Sequence, residues 1–377
     1  MSTLAAYRAD TPGCKQVIHL NNAGAALPPR QVMEAMQAYL AEETLRGGYE
    51  TAAKHHDLLQ DFYRATARLL HTKATQIAWA SSATDAYARA LSAIPFQQGD
   101  LIVTTAHDYL SNLIAFRQLV RHRKVQLEIV ADSPEGGVDM EALRRTIMHL
   151  RPRLVAVTHM PTNSGLIQDV YTIGSWCQTY EDCWYLVDAC QTAGQLPLEV
   201  NRMQCDFLSA TYRKFLRGPR GAGFLYVSQR VLDAGLEPRF MDLHSARWTA
   251  DNDYRARASA QRFELWERNY ALVRGATVAT DYALAVGLAH IAAYTAELAA
   301  YMRELLQARP NIEVLDQGAT LGAIVGCYIA GQNPDRLLSH LRKAGLHASI
   351  TSQAYAPLPL RQQGRPWILR LSPHYYN

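Results

Sequence analysis

The sequence lacks the cysteine patterns that mark disulfide frameworks and structural metal sites. Its six cysteines, at positions 14, 177, 183, 190, 205 and 327, include no Cys-x-x-Cys pair and no His/Cys cluster with zinc spacing. Residues 1–20 contain Arg8, Asp10 and Lys15 and no apolar signal core. We therefore expect no metal site, and we expect free thiols in a reducing, cytoplasmic setting.

The chain also lacks a strong charge of either sign and a long hydrophobic run. The formal net charge is +4 over 377 residues, and no basic tract suggests a nucleic-acid partner. The longest uncharged helical run, residues 282–296, is too short to cross a bilayer. We expect neither nucleic acid nor membrane as a partner.

Three nucleotide and hydrolase signatures are missing as well. The glycine-rich stretch at 218–223 lacks the strand-then-helix context of a dinucleotide fingerprint and the Gly-Lys-Ser/Thr of a P-loop. No Gly-x-Ser-x-Gly elbow occurs in the sequence. These absences exclude the Rossmann, P-loop and α/β-hydrolase interpretations.

Short apolar runs alternate with helical segments between residues 77 and 210. This alternation predicts an α/β fold with a largely parallel, doubly wound sheet. The length favours two domains. We predict a large domain over 17–265 and a small α+β domain over 266–377, together with residues 1–16.

Two of the predicted strands bring an acid and a lysine to the same edge of the sheet. The apolar run 184–188 ends at Asp188, and the run 207–210 is followed by Lys214. Ligands of open α/β sheets bind at the carboxyl ends of the strands. A lysine amine that condenses with an aldehyde, and a carboxylate that holds a pyridine nitrogen protonated, are the pair that pyridoxal 5′-phosphate (PLP) needs. A solvated basic loop is the alternative for an isolated lysine.

The motif Asp188-x-x-Gln191, followed by Lys214 and Gly218-Pro-Arg-Gly-x-Gly223, resembles the class V aminotransferase family of fold-type I PLP enzymes. That family includes cysteine desulfurases, kynureninases, isopenicillin N epimerases and C–S lyases, and the resemblance runs from about residue 20 to the last. It implies PLP bound to the catalytic Lys214 and a homodimer with shared active sites. Asp188 then pairs with the pyridinium nitrogen and Gln191 with the phenolic oxygen, beside Thr211 and Arg213.

The resemblance also implies further cofactor contacts. Ala83 and Thr84 begin a helix after the strand 77–80, where exposed amides bind phosphate. Tyr109 is expected to stack on the pyridine ring, with His107 as the alternative. The register of the loop after strand 154–157 leaves Thr162 and Asn163 both open as contacts of the phenolic oxygen.

Three residues are candidate substrate contacts. Arg370, in Arg370-Leu-Ser-Pro-His-Tyr-Tyr-Asn377, matches the family arginine that binds the substrate α-carboxylate, which suits a bidentate clamp. Asn22 lies in an early loop, where a turn-forming role is the alternative. Tyr49 belongs to a Gly-Gly-Tyr stretch similar to one in hercynylcysteine-type sulfoxide lyases. Glu267 departs from the family, because it stands where a threonine reaches the neighbouring subunit's phosphate.

The choice of reaction depends on one more absence. The segment 350–363 contains no cysteine, whereas desulfurases place a nucleophilic cysteine there, and Cys327 lies in an apolar strand. We therefore expect a PLP-dependent C–S lyase that acts on a cysteine conjugate or its sulfoxide and releases pyruvate and ammonia. An epimerase or aminotransferase is the alternative, and a cysteine desulfurase is less favoured. The alternative that is not an enzyme is a non-catalytic binding module of the same fold.

Overall fold

A seven-stranded sheet forms the centre of the molecule in the computed structural model, which describes residues 3–377. Each strand runs parallel to its neighbours except Gly223–Val227, which is antiparallel to both. In spatial order the strands are Ile77–Ala80, Gly223–Val227, Phe207–Thr211, Trp184–Asp188, Leu154–Thr158, Leu101–Thr105 and Gln126–Val130. The predicted α/β class with a mostly parallel sheet is confirmed.

Helices cover both faces of this sheet, because the inner strands are apolar on both sides. One apolar core joins the sheet to Arg30–Arg46, His56–Leu70, Met140–Leu150, Val170–Cys177, Val200–Met203 and Tyr270–Val286. A second core on the opposite face joins it to Ala83–Ala93, Leu110–Arg123, Gln229–Asp233 and the 3₁₀ turn Ala260–Phe263. The doubly wound arrangement places the strand ends at one open edge.

A four-stranded antiparallel sheet forms a second, smaller layer. Its helices Leu288–Gln307 and Pro334–Lys343 pack on an apolar core of their own, and Pro357–Gln362 packs beside it. In spatial order its strands are Ile312–Val314, Val325–Ile329, Trp367–Leu371 and Ser349–Ser352.

The domain boundaries at 17, 265 and 266 stay a prediction, and two contacts cross them. The short strand Ile18–His19 pairs in parallel with Leu346–His347 of the C-terminal part. The helix Tyr270–Val286 packs against Arg30–Arg46 in the core of the large sheet. Apolar side chains along that helix, rather than its place in the sequence, decide which layer it joins.

Two further features complete the large domain. Residues 48–70 form two helices, Gly48–Lys54 and His56–Leu70, and the stretch 234–260 contains a hairpin of Ala246–Trp248 with Tyr254–Ala256. The remaining short elements are Leu4–Ala9, Pro12–Lys15 and Ala74–Gln76.

Within residues 3–377, no single helix is long and apolar enough to cross a membrane. Only the bent pair Tyr270–Val286 and Leu288–Gln307, whose axes meet at 77°, reaches that length and apolarity jointly.

Candidate active site

A cleft, called here the central cavity, lies at the carboxyl ends of the middle strands. This position is where open α/β sheets bind ligands. The residues that line it are Ser82, Ala83, Thr84, Tyr109, Thr158, Met160, Thr162, Asp188, Cys190, Gln191, Thr211, Arg213 and Lys214.

Lys214 reaches the cavity from the turn that follows the strand Phe207–Thr211, and its side chain is buried. Burial lowers the pKa of its amine; Arg213 and Arg370 act in the same direction, whereas Cys190 and Asp188 raise it. A lysine amine with a lowered pKa is more readily neutral, so it serves better as a nucleophile or base.

Asp188 is the last residue of its strand, and neighbouring donors hold its carboxylate. Oδ1 accepts from the backbone N–H of Cys190 at 2.9 Å, and Oδ2 accepts from the side-chain amide of Asn112 at 3.2 Å. Its side chain is buried and lines the same cavity as Lys214. The two residues that the sequence singled out therefore share one site.

Asn112 and Asp108 belong to this site and were missed from the sequence. Asn112 also donates to Oδ1 of Asp108 at 2.9 Å, so it bridges two carboxylates. Asp108 accepts from Thr104 at 2.6 Å and from Thr158 at 2.7 Å, and burial raises its pKa to about 6. The i, i+4 spacing of Asp108 and Asn112 at a helix start was the available signal.

Arg370 comes to the site from the small sheet, in the strand Trp367–Leu371. One guanidinium nitrogen donates to the carbonyl oxygen of Thr162 at 2.8 Å and to its hydroxyl at 2.9 Å, and the other donates to Oδ1 of Asn21 at 3.1 Å. Its Nε is buried without a partner. Burial, with Arg213 nearby, lowers the pKa of Arg370 to about 10. A buried cation without a carboxylate partner is poised for an anionic ligand.

The helix Ala83–Ala93 points its N-terminus at the cavity. Ser82 caps it by accepting from the backbone N–H of Asp85 at 3.1 Å, and Ala83 and Thr84 line the cavity. The Asp85 carboxylate is held by Arg89 at 2.7 Å. The positive end of the helix thus faces the cavity, which favours an anion there.

Arg213 adds a side-chain cation to this end of the cavity. It donates to the carbonyl oxygen of Gly24, and burial, followed by the nearby Arg220, lowers its pKa. The Thr211 hydroxyl donates to the carbonyl oxygen of Ala222 at 3.3 Å. The helix end, Thr211 and Arg213 all line this cavity, and such donors suit a phosphate group.

Two alternatives left by the sequence are placed differently by the structure. Tyr109 lines the central cavity, whereas His107 turns to Asp132, with Nε2 2.9 Å from the carboxylate. Thr162 lines the central cavity, and its hydroxyl accepts from the side-chain amide of Gln191 at 3.2 Å. Asn163 does not line this cavity but a neighbouring narrow space.

None of the three predicted substrate contacts lines the central cavity: Arg370 adjoins it through Thr162, whereas Asn22 and Tyr49 lie elsewhere. Asn22 is fully buried, and its amide donates to the carbonyl oxygens of Ser372 at 2.7 Å and His19 at 3.1 Å, while its oxygen accepts from Tyr376. The neighbouring Asn21 contacts Arg370 instead. Tyr49 is 72% exposed on the helix Gly48–Lys54.

Glu267, the departure from the family pattern, is exposed. The two residues that follow it are engaged within the chain. Arg268 binds Glu264 at 2.9 Å, and Asn269 caps the helix Tyr270–Val286.

Comparison with known proteins agrees with this geometry. The profile of the family "Aminotransferase class-V" matches residues 18–377. The chain belongs to the class-V aminotransferase family. A probable cysteine desulfurase of Methanothermobacter thermautotrophicus is 26% identical over 380 residues, which cover 98% of this chain and 93% of that protein. One of Synechocystis is 27% identical over 365 residues, covering 92% and 82%.

Solved structures show that this class-V family member has the fold-type I architecture. The apo cysteine desulfurase of Thermococcus onnurineus superposes with a TM-score of 0.91 at 23% identity, covering all of this chain and 94% of that one. The cystine C–S lyase C-DES, solved with its product cysteine persulfide, superposes with a TM-score of 0.86 at 19% identity, covering 97% and 95%. At these identities the likeness concerns the fold alone.

Family membership makes PLP the cofactor, and the cavity fits that group. Arg213 and Lys214 line a cavity whose lining carries one carboxylate, Asp188, and the buried Arg370 donates to Thr162 of the same lining. An orphaned polar atom, Oε1 of Gln191, is buried beside them. A cation surplus beside a single acid suits a cofactor phosphate and a substrate carboxylate.

Proposed function

We propose that this protein is a PLP-dependent C–S lyase that cleaves the Cβ–S bond of a cysteine conjugate or its sulfoxide. The observation that carries the proposal is the composition of the segment at the mouth of the site. A narrow space, called here the entry cleft, shares Tyr109 and Thr162 with the central cavity. Residues 355–359, which read Tyr-Ala-Pro-Leu-Pro, also line it and include no thiol.

Two thiols elsewhere in the chain, those of Cys327 and Cys190, are poorly suited to act as sulfur acceptors. Cys327 is buried in the small sheet, and burial raises its pKa to about 12. Cys190 lines the central cavity, but burial and the nearby Asp188 raise the pKa of its thiol far above the usual range. Because the thiolate is the reactive form, both thiols are weak nucleophiles at neutral pH.

The proposed reaction assigns a task to each side chain. PLP, when bound, supplies an electron sink for negative charge at the substrate's Cα. Lys214, with its lowered pKa, accepts the Cα proton, and Arg370 holds the α-carboxylate. The electron pair of the Cβ–S bond leaves with sulfur, which takes up a proton. With water, the remaining three-carbon fragment gives pyruvate and ammonia.

The central test is pyruvate release from cysteine S-conjugates and their sulfoxides, coupled to a dehydrogenase assay. We expect stoichiometric pyruvate and thiol, or sulfenic acid from a sulfoxide. Exchange of the Cα proton with solvent and no pyruvate from any conjugate would replace the lyase with an epimerase or aminotransferase. Persulfide on the protein would instead establish a desulfurase.

Two variants test the roles given to Lys214 and Asp188. Borohydride reduction of the holoprotein should fix the pyridoxyl group on Lys214, identified by peptide mass, and Lys214→Ala should abolish that label. Asp188→Asn should keep part of the bound PLP and lose most of the turnover, because the neutral amide no longer favours a protonated pyridine nitrogen. Label on a different lysine would remove Lys214 from the mechanism.

A homodimer is part of the proposal. Support comes from large apolar side chains that are exposed in the single chain between residues 240 and 266: Phe240, Leu243, Trp248, Leu265 and Trp266. An association of two chains would cover such exposed apolar side chains. Sedimentation velocity should give a dimer, and a fully active monomer would contradict the shared site.

A further inference from the structure

A third space adjoins the entry cleft, and nothing in the proposed chemistry uses it. This space of about 240 Å³, called here the polar chamber, shares His107, Asn163 and Pro359 with the entry cleft. It is lined by His107, Asp132, Ser133, Pro134, Gly136, Gly137, Asn163, Ser164, Leu315, Gln317, Pro359, Gln362 and Gln363. The central cavity, the entry cleft and the chamber therefore form a sequence of adjoining spaces.

The chamber contains a buried acid with one unused oxygen. Oδ2 of Asp132 lies 2.9 Å from Nε2 of His107, and their side chains are 5% and 9% exposed. Oδ1 of Asp132 and both ring nitrogens of His107 are buried without a hydrogen-bond partner. Buried polar atoms in native proteins are nearly always satisfied, so unsatisfied atoms on two residues that line one cleft call for a ligand there.

The charge of the chamber selects the kind of ligand. Among the described residues that line it, none is lysine or arginine, and the titratable groups are Asp132 and His107. Side-chain amides of Asn163, Gln317 and Gln362 supply further acceptors and donors. A carboxylate with a free oxygen and several amides favours a cationic or hydrogen-bond-donating group and disfavours an anion.

We propose that the polar chamber binds the sulfur substituent of the substrate, and that this substituent ends in a cationic or strongly hydrogen-bond-donating group. This rests on the proposed lyase function, because it assigns the leaving group of that reaction. The Asp132 carboxylate accepts from the substituent, with His107 as its ion-pair neighbour. The amino-acid end stays in the central cavity with Arg370.

Binding of sulfur-free analogues tests the chamber without turnover. Lysine, norleucine and 2-aminoadipate replace the sulfur of S-(2-aminoethyl)-, S-ethyl- and S-(carboxymethyl)cysteine by a methylene and cannot eliminate a thiol. Dissociation constants come from thermal shift of the holoprotein and from its absorbance change, with longer homologues of each analogue. We expect the ammonium series to bind about tenfold more tightly than the methyl series, and the carboxylate series to bind most weakly.

Two variants and a control locate the effect. Asp132→Asn keeps the side-chain shape and should remove the preference for the ammonium series. Gln362→Lys, at an exposed position on the rim, should weaken the ammonium series and strengthen the carboxylate series. It keeps the proposal testable if Asp132→Asn fails to fold. Asp335→Asn, at an exposed position outside the chamber lining, should behave as wild type.

The outcomes separate the chamber from the lyase. The chamber proposal is wrong if the ammonium, methyl and carboxylate analogues bind equally at every chain length. It is also wrong if the preference for the ammonium analogues is unchanged in both Asp132→Asn and Gln362→Lys. Either result counts against the chamber even where conjugates yield pyruvate. The expected binding order without pyruvate from any conjugate supports the chamber as a subsite and overturns the lyase. Pyruvate release ranked in the same order as binding supports both.

Discussion

The side-chain amide of Asn112 donates to Oδ2 of Asp188 at 3.2 Å and to Oδ1 of Asp108 at 2.9 Å, so one amide group spans two buried carboxylates. Burial raises the pKa of Asp108 to about 6, and Asp188 adds to that increase. The amide keeps the acid that faces the cavity in a fixed orientation. Asn112 is thus a positioning residue for the contact expected between Asp188 and the pyridine nitrogen.

Removing this amide should weaken that contact. Asn112→Ala should lower kcat/KM about tenfold or more, because hydrogen bonds to charged groups contribute about 1.5–3 kcal/mol and ~1.4 kcal/mol is tenfold in rate. The pH dependence of the cofactor absorbance should shift as well, which a general loss of stability would not produce. Gln118→Ala, exposed on the same helix, is the matched control. An unchanged absorbance profile in Asn112→Ala would remove it from the positioning role.

Local sequence was sufficient where a residue's position follows from its own strand. Asp188 and Lys214 were predicted because each stands at or just beyond a strand end, and parallel order brings those ends together. Asn112 was missed because its role depends on which side of the following helix faces Asp188. The choice between His107 and Tyr109 depended on a turn at Asp108, where the backbone N–H of Tyr109 donates to Oδ1 at 2.7 Å.

Contacts between distant parts of the chain were the least predictable. Asn22 is positioned by Ser372 and Tyr376, some 350 residues away, and its neighbour Asn21 faces Arg370. A shift of one residue in this turn would exchange the contacts of Asn21 and Asn22. Neither composition nor local pattern indicates which of the two residues faces Arg370. The polar chamber was unpredictable for the same reason. His107 and Gln317 are far apart in the sequence, and they line one space only because the two sheets pack together.

Arg370 offers a second prediction, concerning recognition of the α-carboxylate. Arg370→Ala should lower kcat/KM by about 30-fold or more, because losing a buried charged partner costs roughly 2–5 kcal/mol. The kcat/KM of Arg370→Lys should lie between those of the wild type and Arg370→Ala, because lysine keeps the charge and lacks the planar guanidinium. Comparing a substrate with its carboxamide separates recognition from folding: wild type should prefer the acid, and Arg370→Ala should not. Arg361→Ala, at an exposed position, is the control, and equal acid preference in all proteins would exclude the clamp.

The cysteines provide a third prediction. Pyruvate formation should survive replacement of all six, provided the protein folds, because the elimination uses no thiol nucleophile. Cys190 differs from the other five because it lines the central cavity beside Asp188. Cys190→Ala should change the cofactor absorbance while leaving turnover within a few fold. A folded cysteine-free protein that is inactive, and that regains persulfide formation with one cysteine restored, would decide for a desulfurase.

His159 gives a pH-dependent prediction for stability. It follows the strand Leu154–Thr158, is 3% exposed, and contacts the Thr192 hydroxyl through Nδ1 at 3.1 Å. Burial lowers the pKa of its imidazole from 6.5 to about 4. Between these values the unfolded chain binds a proton that the folded chain excludes. The free energy of unfolding therefore falls as the pH drops from about 6.5 towards 4.

Other buried groups oppose this trend, so the prediction is a difference between proteins. Asp108 and Asp316, whose pKa values burial raises to about 6, favour the folded state as the pH falls below 6. Urea unfolding of the holoprotein and of His159→Gln, from pH 7.5 to 5, cancels those contributions. Wild type should lose stability relative to His159→Gln below pH 6.5, approaching ~1.4 kcal/mol per pH unit. His149→Gln, at an exposed position, should run parallel to wild type. If the free energy of unfolding varied with pH in the same way for wild type and His159→Gln, the prediction would be wrong. The buried imidazole would then take up its proton in the folded state as readily as in the unfolded chain.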